Sequence, residues 1–219
     1  MTNKDPQSDE TAEGTSTKKE WSMDPAALEI ISFPHPTLRY VAKPIRRVDA
    51  RLKQIVARMF DLMYESRGVG LAATQVDLPI RLFVMNPEGQ PDAGEQLALI
   101  NPVVSKPKSS EEAEEGCLSL PGIHGNVVRA KSINLNAYDL SGREIDVQLS
   151  GFPARIVQHE VDHLNGTLFI DRMKEGAIQE VAGELEALDV DFRSRQRTNA
   201  IPEDEDLLKR LNEWESAYC

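Results

Sequence analysis

Cysteine is scarce in these 219 residues: there are two, Cys117 and Cys219. One sits inside a dense motif and the other at the last position, which makes no disulfide framework and fits a reducing compartment with a free Cys117 thiol. Long apolar runs are missing as well. None approaches the ~20 residues needed to cross a bilayer, so no membrane partner is expected. Basic charge is in deficit, since 25 Lys and Arg stand against 36 Asp and Glu, a formal net charge of -11. That excludes a broad basic face, and with it direct binding of nucleic acid through bulk electrostatics. The opening stretch, MTNKDPQSDETAEGTSTKKE, has neither the apolar core of a signal peptide nor the acid-poor composition of a transit peptide. It reads as a disordered polar tail over residues 1–25 of a cytoplasmic protein, with Met23 as an alternative start.

What is present is enough for one well-buried core. The lead-in LEIISFPHPTLRYVAKPI mixes short apolar runs with Pro34, Pro36 and Pro44, which breaks helices and suggests an extended, wrapping segment. In DARLKQIVARMFDLMYESRG, Leu52, Ile55, Val56, Met59, Phe60 and Met63 recur at helical steps behind an Asp49 cap, predicting an amphipathic helix that ends before Gly68. Strands are predicted at IRLFVMN, LALIN, INLNAYDL and EIDVQL, the last two forming a hairpin about a Ser-Gly turn. GFPARIVQHEVDHLNG predicts a short helix with Pro153 at its first position, an Asn-Gly stop, and Phe152, Ile156 and Val157 as its packed face. The remainder is helical and highly charged. The order predicts an α+β fold with mostly antiparallel strands.

Three segments carry chemistry. In QHEVDHLNGTLF, His159 and His163 share one helix face and can direct both imidazoles at one ion, while Glu160 reaches a water beside it. Taken alone the pentapeptide also suits a solvated charged helix, and Phe169 stands where one large group of zinc peptidases needs a third histidine. The chain holds four histidines, and neither His35 nor His124 has a supporting context. Cys117, in EEGCLSLPG, belongs to a tight loop or bulged strand end. As a thiolate beside two neutral imidazoles it would give three protein ligands and one open position, the description of a catalytic site. In GVGLAATQVD, Gly68 and Gly70 permit close backbone approach, and Gln75 offers an uncharged donor. The spacing does not suit a dinucleotide.

Together GVGLAATQ, EGCLSLPG and QHEVDHLNG, in this order, resemble the three motifs of the peptide deformylases, over a span from ISFPHPTLR to LFIDRM. The resemblance implies that family's fold, mixed antiparallel sheets around a central metal-binding helix, with a catalytic domain over 26–175 and a charged helical extension over 176–219. It implies a hydrolase that removes the formyl group from formyl-methionine at the start of new polypeptides and releases formate. The implied metal ligands are Cys117, His159 and His163, holding one divalent ion, Fe2+ in the family, with Ni2+, Co2+ or Zn2+ able to substitute. Glu160 is the implied proton carrier, the Leu118 N–H and the Gln75 amide are the implied oxyanion donors, and Val69, Gly70 and Gly116 are the implied backbone partners of an extended peptide. An apolar pocket near Ile156 would take the methionine side chain.

One departure bears on partners. Some family members end in a basic helix that docks on the ribosome, whereas PEDEDLLKRLNEWESAYC is acidic on balance. Nascent chains remain the expected partner and ribosome contact, if made, is transient. The last segment is expected to fold back or to self-associate through Leu207, Leu208, Leu211 and Trp214.

Overall fold

The computed structural model describes residues 24–219, so the expected polar tail and Met23 lie outside the described residues, except for its last two positions. The strands are β1 (Gly70–Ala72), β2 (Leu82–Met85), β3 (Leu97–Cys117), β4 (Leu120–Tyr138) and β5 (Glu144–Ser150). They pair in that order in one antiparallel sheet. The helices are α1 (Ala50–Glu65), α2 (Gly151–Leu164), α3 (Glu175–Glu180), α4 (Ala182–Arg197) and α5 (Asp204–Tyr218). The α+β expectation holds.

The alternation of strand side chains explains how the sheet is covered. Leu71, Leu82, Val84 and Ile100 pack into a cluster with Leu52, Ile55, Met59 and Met63 of α1. Their neighbours Ala72, Phe83, Met85 and Leu99 point the other way, toward Ala154, Ile156, Val157 and Leu164 of α2. Strand β2, LFVM, is therefore buried at every position, the reason it reads as a continuous apolar run rather than an alternating one. Helix α1 begins where Asp49 accepts the Leu52 N–H at 2.8 Å, as its sequence predicts.

Three expectations change. LALIN opens a strand of 21 residues, because β3 runs on through SKPKSSEEAEEG to Cys117 beside β4. The β3–β4 pairing shifts register at Ile100/Val103, Ser105/Lys108 and Gly116/Cys117, so this ribbon bends along its length. Phe152 is not part of the packed face of α2: it is 52% exposed. Helix α2 starts at Gly151, two residues before Pro153, and a proline in the first turn is tolerated because that turn's N–H groups have no partner inside the helix. The Asn-Gly stop holds: Gly166 is at φ 70, and a Cβ there would strike the Arg39 backbone.

The chain's end folds back on the core. Leu207, Leu211 and Trp214 are buried together with Tyr218, while Leu208 is 40% exposed. Trp214 and Tyr218 join the α1 cluster, and the Tyr218 carbonyl accepts from Arg46 N at 2.8 Å. Replacing Leu211 by alanine is expected to lower stability by about 3 kcal/mol through lost burial and an unfilled cavity. Denaturant unfolding of the full chain checks this, with Leu208→Ala, on the exposed side of the same helix, expected to change little.

Candidate metal centre

Three elements deliver the site. Helix α2 carries His159, Glu160 and His163, and its apolar face fixes it against the sheet. The hairpin joining β3 to β4 turns in two residues, Leu118 and Ser119, with Cys117 paired to Leu120 at its neck. The one-turn helix Ala73–Val76 follows β1 directly and carries Gln75.

The ligand atoms converge. Cys117 Sγ lies 3.2 Å from His163 Nε2, and that nitrogen lies 3.2 Å from His159 Nε2. All three atoms are within 4.8 Å of one another. An ion bound by nitrogen at about 2.0–2.1 Å and by sulfur at about 2.3 Å in a tetrahedral array spaces its ligand atoms roughly 3.3–3.6 Å apart. The donor set therefore fits one metal ion.

The electrostatics agree. Burial opposes charge on His159, yet its bonds to Cys117 and Glu115 and the charge of Glu160 outweigh that and raise its pKa to about 10. His163 goes the other way, driven well below the ordinary histidine value by burial and then by the charge of His159. The surroundings thus favour positive charge at His159, and a divalent ion would supply positive charge there in place of a proton. The other ring nitrogen of His159 meets Glu115 Oε2 at 3.0 Å. A proton held there would leave Nε2 bare to bind an ion.

Glu160 is 4% exposed, and its Oε2 has no hydrogen-bond partner among the described residues. Burial raises its pKa to about 7, which suits a group that must both accept and return a proton near neutrality. Gly70 makes room for it. A Cβ at residue 70 would collide with Glu160 Oε1 and stand 2.9 Å from its Cδ and 3.0 Å from Ile156 Cγ2. We expect Gly70→Ala to lower kcat roughly 10- to 100-fold, because displacing a reacting group by a fraction of an ångström is felt on that scale. Steady-state rates of the metal-loaded variant check it.

Gln75 is buried and aimed at the same point. Its Oε1 accepts from Ala72 N at 2.9 Å, which turns its amide nitrogen toward Cys117 Sγ at 3.4 Å and Ser119 Oγ at 3.3 Å. Cys117, His159, Glu160, Gln75 and Leu118 line a cavity of about 660 Å³, and Val69, Gly70, Gly116, Ile156 and the exposed Phe152 line it too. Eight of the nine residues singled out in the sequence for metal, catalysis and peptide binding line this cavity, and the ninth, His163, lies behind it with its Nε2 3.2 Å from Cys117 Sγ. Phe169, in the third-histidine position of the peptidases, is buried and stacks on His159 at 6.2 Å between ring centres. His35 is buried away from the ligand atoms, beside Asp77 and Phe192.

Sequence reading missed the support behind the ligands. Glu115 takes two hydrogen bonds from Arg129, at 2.7 and 2.8 Å, and one from Arg155 at 2.6 Å, besides meeting His159. Arg129 reaches on to Asp162 of α2 at 2.5 Å, and Asp162 also pairs with Arg172. The only hint was adjacency, Glu115 two residues before Cys117 and Asp162 one before His163.

A helix with two histidines and a buried glutamate, packed on an antiparallel sheet and completed by a cysteine sulfur from a distant strand end, defines a metal-dependent hydrolase. The sequence profile of polypeptide deformylase matches residues 27–178. A peptide deformylase of Rhodopirellula baltica is 52% identical over 191 residues, covering 87% of this chain and 95% of the relative. Peptide deformylase 1B of Arabidopsis thaliana, chloroplastic/mitochondrial, is 43% identical over 169 residues, 77% of this chain and 62% of the relative. The crystal structure of a plant peptide deformylase superposes with a TM-score of 0.75 at 42% identity, over 81% of this chain and 95% of that one. This chain belongs to the polypeptide deformylase family.

Proposed function

We propose that this protein removes the formyl group from formyl-methionine at the start of newly made polypeptides, using one divalent ion held by Cys117, His159 and His163. The observation that supports this reading is the convergence of one sulfur and two nitrogens, His163 Nε2 lying 3.2 Å from each of the other two, beside a buried carboxylate oxygen of Glu160 that has no partner among the described residues. The ion, when bound, lowers the pKa of a water from about 15.7 toward 7 and polarises the carbonyl, which makes hydroxide available at neutral pH. Everything else is done by the chain.

Glu160 accepts a proton from the attacking water and delivers it to the amine nitrogen as the formyl C–N bond breaks, so that formate and a free amine leave. The Gln75 amide and the Leu118 N–H donate to the carbonyl oxygen as it gains negative charge, each worth roughly 3 to 4 kcal/mol in comparable sites. The peptide lies extended against Val69, Gly70 and Gly116, on the outer side of β1, which is the edge strand of the sheet. This reads its main chain and leaves most side chains unread. Methionine is selected by the apolar wall at Ile156 and Val69.

The thiolate and imidazole ligands suit ferrous iron, with nickel, cobalt or zinc as working substitutes. Residues 26–175 form the catalytic domain and 176–219 an extension whose last helix returns to the core. No helix of the described residues is long and apolar enough to cross a membrane. The reading adds a cytoplasmic site of action on nascent chains. Its contact with the ribosome is transient, since α5 opens with Asp204, Glu205 and Asp206 and turns its apolar side inward.

Formate release from a formyl-methionyl tripeptide tests the proposal. The protein is purified anaerobically and supplied with iron or nickel, and a chelated sample and the acetylated peptide serve as controls. Metal-dependent release confined to the formyl peptide supports it; no release from a folded, metal-loaded sample overturns it.

A further inference from the structure

The one-turn helix Ala73–Val76 that carries Gln75 is closed by Asp77, whose backbone is left-handed at φ 63. Three parts of the chain hold this turn. Ile31 N donates to the Gln75 carbonyl at 2.9 Å, and Thr74 Oγ1 donates to the His163 carbonyl at 3.2 Å. The third hold is on the Asp77 carboxylate. Thr37 Oγ1 donates to its Oδ1 at 2.5 Å, and Arg210, from the middle of α5, pairs with its Oδ2. The pair is largely buried, with the Arg210 side chain 12% and that of Asp77 16% exposed.

His35 stands 3.9 Å from the same carboxylate but does not share the role of cation. Its Nδ1 accepts the Thr37 N–H at 3.3 Å, and burial together with the Arg210 charge lowers its pKa to about 3. A charge-assisted bond in a partly desolvated setting is stiffer than a neutral one. Helix α5 is itself well fixed: Leu207, Leu211, Trp214 and Tyr218 are buried, and Tyr40 Oη donates to Glu215 at 2.7 Å.

We infer that Arg210 is a positioning residue, through which the C-terminal helix α5 holds Asp77 and thereby sets the orientation of the Gln75 amide over the ligand atoms. This rests on the proposed role of Gln75 as a donor to the carbonyl oxygen. Arg210 touches no reacting atom. It acts two residues away from one, and 133 positions along the chain from the carboxylate it holds.

A double-mutant cycle on the full chain tests it, with kcat and KM measured on the formyl-methionyl tripeptide after confirming metal content. Arg210→Met is expected to lower kcat roughly 10- to 100-fold with little change in KM, the scale of a misplaced reacting group. In a Gln75→Ala background the same change is expected to cost no more than roughly twofold, because the donor it positions is already gone. Arg210→Lys should recover most of the activity. An equal fall in both backgrounds, or no fall in the parent, overturns the inference and leaves Arg210 a structural residue.

If Arg210→Met does not fold, Asp77→Asn decides by the same criteria, since asparagine tolerates the left-handed backbone and removes only the charge. Gln75→Ala at parental kcat would instead overturn the donor role of Gln75 and the coupling with it. An impaired Gln75→Ala beside a fully active Arg210→Met overturns the coupling alone.

Discussion

Glu160→Gln is expected to lose roughly 100- to 10,000-fold in kcat, the range seen when a positioned proton carrier is removed, while metal content stays at the parental level. The reasoning separates the two functions of α2. The atoms that would hold the ion in the proposed site are Cys117 Sγ and the two histidine Nε2 atoms, none of which belongs to residue 160. Glutamine matches glutamate in shape, so it leaves neither a cavity beneath the ion nor a clash with Gly70. It lacks only the capacity to take a proton. The parental carboxylate is 4% exposed with Oε2 unpartnered among the described residues, an arrangement that costs stability. The variant should therefore melt no lower than the parent. Metal analysis, thermal unfolding and formate release on one preparation check the prediction; a Glu160→Gln enzyme turning over at the parental rate removes Glu160 from the mechanism.

Much of this site was legible because its chemistry is encoded at short range. Four residues on a helix put His159 and His163 on one face whatever the rest of the fold does. The Asp49 cap, the β4–β5 hairpin and the Asn-Gly stop are local devices too, and they hold in the structure. The missed parts depend on pairing between remote segments. The outer half of β3 carries no apolar alternation because both faces of the ribbon meet solvent there, so its strand character comes from β4 alone. Phe152 sits in an apolar helix start and reads as core, yet it projects at the rim of the cavity. The acid run EEAEEGC looks like a solvated charged stretch, and three of its glutamates, Glu111, Glu112 and Glu114, are indeed exposed. The fourth, Glu115, is 7% exposed, and nothing within the run distinguishes it.

That fourth glutamate carries the second large effect. Glu115→Ala is expected to weaken metal affinity roughly 10- to 100-fold, the usual consequence of removing the group that orients a metal-binding histidine. It should also destabilise the fold by about 4 kcal/mol, because it leaves buried cations without their carboxylate. The two effects have one origin. The carboxylate meets His159 Nδ1 on one side and would fix which nitrogen is left for an ion; on the other it neutralises Arg129 and Arg155, which tie β4 and α2 to the end of β3. Arg129 keeps Asp162 in the variant, so the network is loosened rather than dissolved. Glu112→Ala is the control from the same run. Its bond to Lys174 joins side chains that are 42% and 72% exposed, where water screens the pair and its worth is at most about 1 kcal/mol. Competition with a calibrated chelator gives the affinity, and denaturant unfolding of metal-loaded protein gives the stability. If Glu115→Ala binds metal as tightly as Glu112→Ala, the orientation of His159 is set by α2 alone and the buried acid serves only to join the hairpin to the helix.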